Sequence, residues 1–168
     1  TDMAAIGLMT MSNSYNNIAD ARNALLGNSR KALVRSVLAC PQNLRWKIWL
    51  FGARLEVSAG KISRARRLLC QAMAEVSNKT RYTVYLECSR IEEYAGNIDA
   101  ARRILLRAME ESPNELKLAL EMVFLETRVG NLRKALNVTQ TSLKSHPGTA
   151  FLWSIHVQLC HRLESIDH

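Results

Sequence analysis

The stretch GNIDAARRILLRAMEESP, residues 96–113, decides the fold. Its apolar side chains recur at steps of three and four residues, which is the period of one face of an α-helix. Gly96 precedes this helix and Pro113 follows it. Glycine ends helices because it adopts the left-handed conformation readily, and proline cannot continue a helix. The segment therefore predicts a helix bounded on both sides, with an earlier helix ending at Gly96.

The same pattern occurs four times along the chain, at glycine intervals of 33, 36 and 34 residues. These glycines are Gly27, Gly60, Gly96 and Gly130. Small residues follow at fixed distances of five and twelve residues: Ala32, Ala65, Ala101 and Ala135, then Ala39, Ala72, Ala108 and Ser142. Two turns apart on one helix face, they let paired helices approach closely. Helix pairs of this size must stack to bury their apolar faces, so the sequence predicts an all-α solenoid of stacked antiparallel helix pairs.

The repeat predicts one helical-repeat domain over 12–168, after an ambiguous lead-in at 1–11. Its units are expected at 12–41, 44–78, 80–113 and 114–147, with an unpaired helix at 149–165. Because that last helix has no partner and the chain lacks an initiator methionine, we expect a fragment of a longer protein.

Composition narrows the class of protein. The chain has 168 residues, is 48% hydrophobic and carries a net charge of +8, which excludes general disorder. No apolar run is long enough to span a membrane. The basic charge favours anionic partners, either nucleic acid or acidic protein surfaces. The four cysteines show no paired spacing and are interpreted as reduced thiols of an intracellular protein, with a Cys70–Cys88 disulfide as a minor alternative.

Marker residues of the repeat resemble those of the half-a-tetratricopeptide (HAT) family, most closely in units two and three. The resemblance is carried by Trp49, Glu56, Gly60, Ala65 and Arg66, by Tyr85, Glu92, Gly96, Ala101 and Arg102, and by Glu126, Gly130 and Ala135. The chain departs from the family pattern at Asn23, Ala119, Leu136 and Cys160. Tetratricopeptide repeats share the two-helix layout but usually carry a tyrosine where this chain has glutamates.

The resemblance implies a scaffold that binds protein subunits of an RNA-processing complex, in the nucleus or alternatively in an organelle. It also allows a homodimer through the repeats. We expect Glu56 with Arg66, and Glu92 with Arg102, to form ion pairs within one unit that fix the helix-pair register. Leu136 opposite Glu126 then indicates that the pair is dispensable.

Basic residues form two stripes that support an alternative, direct RNA binding. On the first helices, expected to line the concave side, cations alternate with aromatic rings, a mix suited either to bases and phosphates or to an acidic peptide. These candidates are Lys47, Arg54, Arg90, Tyr94, Phe124 and Arg128, and the second helices add Arg64, Arg67, Arg103 and Arg107. Glu87 and Glu121 on the same concave stripe weaken its claim as a nucleic-acid groove. A solvated arginine-rich face explains either stripe equally well.

Catalysis has little support in the sequence. No phosphate-binding loop, zinc-protease motif or nucleophile elbow occurs, so we expect no enzyme, no cofactor and no metal. His156, Cys160 and His161 lie close on one helix, but two such ligands do not complete a tetrahedral site. A tetratricopeptide-type site that clamps a peptide carboxylate stays open as a further binding mode.

Overall fold

A computed structural model describes residues 22–166 of the chain, all of whose regular structure is helical. The helices are α1 (22–39), α2 (Gln42–Ser58), α3 (Ile62–Glu75), α4 (Arg81–Tyr94), α5 (Ile98–Glu111), α6 (Leu116–Val129), α7 (Leu132–Ser145) and α8 (Ala150–Glu164), with a 3₁₀ turn at Asn78–Thr80. The expected lead-in at 1–11 lies outside the described residues. No helix within 22–166 is long and apolar enough to cross a membrane.

Consecutive helices form hairpins that stack into a solenoid. The closest contacts join α2 to α3, α4 to α5 and α6 to α7, and each hairpin then packs on the first helix of the next. The predicted all-α solenoid is confirmed.

Three of the four repeat glycines end a first helix. Gly60, Gly96 and Gly130 have φ of 73°, 82° and 90°, a conformation that only glycine adopts without strain. After Gly96, the Asn97 N–H donates to the carbonyl of Glu92 at 2.8 Å, which closes a Schellman turn. These turns reverse the chain within two or three residues and create each hairpin.

Gly27 behaves differently, and the expectation of a helix end there is wrong. It lies inside the continuous helix α1 without a positive φ. Ala32 and Ala39, predicted to pack closely, are exposed. The reason is register: Arg30 takes the structural place of Arg66, so the true equivalent of the loop glycine is Ala24, which continues the helix.

The core runs along the stack between the two layers of helices. Ala65, Ala101 and Ala135 are fully buried, as predicted for the first small position. The second small position is buried as well in these three repeats. Large side chains such as Leu105 and Leu118 fill the space between hairpins.

The stack curves with its first helices on the inside. The backbone of α4 contacts both α2 and α6, whereas α3, α5 and α7 make no direct backbone contact with one another. Helices α2, α4 and α6 therefore form an inner face, and α3, α5 and α7 an outer face. No such backbone contact joins α6 to α8.

Candidate interaction surfaces

Arginine–glutamate pairs join α1 to α2, α3 to α4 and α5 to α6. Arg66 on α3 donates through Nε to Glu92 Oε1 at 2.6 Å and through Nη2 to Oε2 at 2.8 Å. This bidentate geometry is the strongest form of a charge-assisted hydrogen bond. We name three such contacts the junction pairs: Arg30–Glu56, Arg66–Glu92 and Arg102–Glu126.

The junction pairs correct the sequence prediction. Glu56 was expected to pair with Arg66 and Glu92 with Arg102 inside one unit, but each glutamate instead binds the arginine of the preceding second helix. The glutamate side chain projects toward the preceding hairpin, because its own second helix packs on another face of the first helix. Consequently Leu136 does not stand opposite Glu126, so the observation from which the pair was inferred to be dispensable is wrong.

The glutamates of the junction pairs are held ionised. The hydrogen bond from Arg66 lowers the pKa of Glu92, and the Asn97 amide adds a second donor at 2.9 Å. Burial of Glu126, whose side chain is 4% exposed, acts against its charge. Hydrogen bonds from Arg102 and Asn131 outweigh that burial, so the pKa of Glu126 is lowered too.

A second set of pairs crosses the inner face between first helices. Arg54 on α2 binds Glu87 on α4 in a bidentate contact with distances of 2.6 and 2.9 Å. Arg90 on α4 binds Glu121 on α6 at 2.6 Å and also touches Glu87 at 3.1 Å. We name Arg54–Glu87 and Arg90–Glu121 the inner-face pairs.

Arg128 is bound as well, in a bidentate contact with Glu93 at 2.6 and 2.8 Å. The three arginines predicted as concave contacts for a partner or for RNA are thus each bound by a carboxylate of a neighbouring repeat. A phosphate would have to displace that carboxylate to bind the arginine. In the sequence, the only indication of this was the presence of Glu87 and Glu121 on the same stripe.

Exposed rings lie among these neutralised cations. Phe51 is 66% exposed, Tyr94 68% and Phe124 36%. The Arg54 guanidinium lies 5.8 Å from the Phe51 ring centre, a cation–π distance. Lys47 lies 5.6 Å from the ring of Trp46. The inner face is therefore a surface of exposed aromatic rings between arginine–glutamate ion pairs.

The two aromatic residues that match the HAT pattern, Trp49 and Tyr85, pack against the core. Trp49 is half-buried against the core of its hairpin, and Tyr85 packs on the next core cluster while its hydroxyl donates to Glu111 at 2.9 Å. Sequence reasoning missed Trp46, which is 8% exposed and fills the core between α2 and its neighbours. Its place on the helical period was the available signal.

The outer face differs from the inner face in its charges. Arg64, Arg67 and Arg103 are exposed and form no ion pair within the described part of the chain. Arg107, predicted with them, binds Glu111 at 3.1 Å on its own helix. Within the described residues the outer face therefore carries arginines without an ion pair, while on the first helices Lys47 also lacks an ion pair and lies against the Trp46 ring.

The last junction replaces both kinds of ion pair with apolar side chains. By repeat spacing, Leu136 and Cys160 occupy the places of Arg102 and Glu126. In the same way, Phe124 and Ile155 occupy the places of Arg90 and Glu121, so both partners change together at each position. Leu136 and Ile155 pack in the apolar cluster between α7 and α8. Sequence reasoning noted Leu136 and Cys160 separately but missed that they occupy the two places of one junction pair.

Among the described residues, the histidines and the cysteines do not form a metal site. Nε2 of His156 lies 3.8 Å from Sγ of Cys160, and within residues 22–166 no three His, Cys, Asp or Glu side chains cluster as metal ligands do. All four cysteines are free thiols. Burial raises the pKa of Cys88 to about 12, so that thiol stays protonated.

The hairpins stack, and the same glycine turn and ion-pair geometry recur from one repeat to the next. These features define a helical-repeat protein of the tetratricopeptide-like class. Within that class, the chain belongs to the family described as PRP6, TPR-like domain, whose model matches residues 15–167. This family is a HAT/TPR-like helical repeat of a pre-mRNA splicing factor, which confirms the HAT-like resemblance. A search of curated proteins gave no significant match.

Proposed function

We propose that this domain is a protein-interaction scaffold of a pre-mRNA splicing assembly, acting in the nucleus and without catalytic chemistry of its own. Its inner face would hold partner proteins. Membership of the splicing-factor family supports the assembly, and the chemistry of the inner face supports protein as the partner.

One observation carries the choice of partner: the inner-face arginines are already bound to carboxylates while the rings beside them are exposed. Protein interfaces are enriched in aromatic side chains and depleted in free charge at their centres. An RNA groove requires the opposite, cations that are free to neutralise phosphates. Phe51, Tyr94 and Phe124 are the side chains we expect a partner protein to cover.

The test compares two triple variants of the full chain, both checked for unchanged helicity. One removes the inner rings (Phe51→Ser, Tyr94→Ser and Phe124→Ser), and its control removes outer charges (Arg64→Gln, Arg67→Gln and Arg103→Gln). Splicing complexes are assembled in nuclear extract on a tagged pre-mRNA, and the bound domain is quantified. We expect at least about tenfold lower recovery for the inner variant alone, as for the loss of interface hot spots. Equal recovery of both variants would refute the inner face as the partner site.

Direct RNA binding is the second candidate, and the free arginines of the outer face favour it. Arg64, Arg67 and Arg103 project from successive second helices without carboxylate partners in the described part of the chain. If they contact phosphates, affinity falls steeply with salt because bound counterions are released.

Fluorescence anisotropy with labelled single-stranded RNA at low and at physiological salt tests this candidate. RNA binding by the outer face predicts a steep salt dependence and loss of affinity in the outer triple variant, with the inner variant unaffected. Absence of binding at low salt would exclude this candidate.

A further inference from the structure

An apolar groove opens on the outer face between α5 and α7. Its volume is about 300 Å³, and Leu106 and Met109 on α5 and Val138 on α7 line its sides. Met122 of α6 and the Arg102–Glu126 junction pair also line it. A space of this size lies at the lower end of the range for ligand sites and suits one or two large side chains.

The groove belongs to this repeat in particular. Leu106 is 53% exposed, an unusual state for a leucine beside an apolar space. At the equivalent place, α3 carries Cys70 and α7 carries Gln140, so neither neighbouring second helix presents a large apolar side chain there. The place of Met122 is taken by Cys88 in the preceding repeat. Methionine walls are adaptable, which is typical of surfaces that accept inserted side chains.

The rim of the groove is positively charged. Lys134 on α7 lines it, and Arg103 lies one turn before Leu106 on α5. Both side chains are exposed, and neither forms an ion pair within residues 22–166. Glu110 lies one turn beyond Leu106, so the positive charge is confined to one end of the groove.

We propose that this groove binds a short segment of a partner protein, which inserts one large apolar side chain between α5 and α7 and places an acidic side chain against Lys134 and Arg103. The apolar walls select the anchor, and Lys134 and Arg103, which form no ion pair within residues 22–166, select the acidic neighbour. The proposal rests on the proposed role as a protein scaffold and adds a second surface with defined partner chemistry.

The probes are fluorescein-labelled heptapeptides, each with a central leucine, methionine or phenylalanine between glutamates. A matched set carries lysines in place of the glutamates. Anisotropy measures their affinity for the full chain. We expect the acidic peptides to bind and the basic peptides to bind at least about tenfold more weakly, because the rim repels them.

Variants locate the binding. Leu106→Glu blocks the groove at an exposed position and should weaken binding by at least about tenfold, since it removes the contact for the anchor. Lys134→Glu should weaken the acidic peptides and strengthen the basic ones. Cys70→Glu, the same change one repeat earlier, is the matched control and should leave the affinity unchanged.

With the peptides, any of three results overturns the proposal: no acidic peptide binds, binding survives Leu106→Glu, or Cys70→Glu weakens it equally. An oligouridylate that binds the chain and loses affinity with Leu106→Glu would assign the groove to RNA, which also overturns it. If no peptide binds but the domain still assembles onto splicing complexes, the groove proposal fails while the proposed function stands. If the domain does not assemble onto these complexes, the proposed function itself fails.

Discussion

At the scale of single residues, one glutamate links the turn of each hairpin to the stacking of hairpins. Glu92 accepts the Schellman hydrogen bond through its carbonyl and binds Arg66 of the preceding repeat through its carboxylate. Gly96 allows the turn by its left-handed conformation. The glutamate of the junction pair and the glycine of the turn thus lie within five residues of sequence, from Glu92 to Gly96.

Substituting alanine at Gly96 and at Gly27 should have opposite effects. A Cβ at either position meets nothing within 4 Å, so only the backbone distinguishes them. Gly96→Ala forces alanine into a left-handed conformation and should lower the free energy of unfolding by about 1–2 kcal/mol. Gly27→Ala lies inside a helix and should raise it by about 0.5–1 kcal/mol.

Urea denaturation of both variants measures these differences. The same sign of change in the two variants would contradict the assignment of Gly27 to the interior of α1.

At the scale of elements, the packing of α8 on α7 differs chemically from the earlier junctions. Leu136 and Cys160 replace an arginine and a glutamate, and Phe124 and Ile155 replace the inner-face pair. Paired replacement avoids leaving one buried charge without its partner, which is more costly than losing both. The missing backbone contact between α6 and α8 coincides with the missing inner-face pair.

Rebuilding the ion pair at the last junction tests this equivalence. Leu136→Arg and Cys160→Glu should each destabilise the domain, because each places one charge in a half-buried apolar contact. Together they should form a junction pair with a favourable coupling energy of about 1 kcal/mol or more in a double-mutant cycle. The free energies of unfolding of the wild type, both single variants and the double variant give this coupling.

An additive double variant would show that Leu136 and Cys160 do not face each other in the way Arg102 and Glu126 do. The cycle Arg102→Leu with Glu126→Leu serves as the positive control, since that contact is bidentate.

At the scale of the whole molecule, ion pairs repeat along the stack at both the junctions and the inner face. Four of their glutamates, Glu56, Glu87, Glu92 and Glu126, have lowered pKa values. For Glu56 and Glu92 the hydrogen bonds from arginine are the main cause, while at Glu87 arginine contacts outweigh burial. Stability therefore depends on the ionised state of a set of carboxylates in successive repeats.

Acid should destabilise the domain in a defined direction. Above the ordinary glutamate pKa of 4.5 these carboxylates are ionised in both states and the pairs are intact. As the pH falls below that value, the unfolded chain takes up protons before the folded chain does, so the free energy of unfolding falls. Urea denaturation between about pH 7 and about pH 3.5 measures the loss.

Glu92→Gln is the control for this pH dependence. It should be less stable than the wild type near neutral pH but lose less stability on acidification, because one linked carboxylate is gone. An unchanged acid loss in the variant would contradict the role of the Arg66–Glu92 pair.

The repeated glycines and the apolar period predicted the helices α2 to α7 and their hairpins, because both signals are local: a left-handed turn and a helix face depend on neighbours a few residues apart. The prediction for the first unit was wrong because Gly27 follows the repeat spacing without ending a helix. The residue at the place of the loop glycine is Ala24, which does not favour a turn. The family resemblance could likewise be predicted, because its marker residues form short local motifs.

The partners of the charged residues were decided only by the tertiary structure. Arg66 lies ten residues from Glu56 in sequence and 26 from Glu92, yet binds Glu92, because the direction of a side chain across a helix stack depends on how whole hairpins rotate against each other. That packing also places the inner-face arginines in ion pairs and leaves Arg64, Arg67 and Arg103 without one in the described part of the chain. It also forms the groove beside Leu106. Sequence thus determined which cations are present, and the stacking of hairpins determined which of them remain available to a partner.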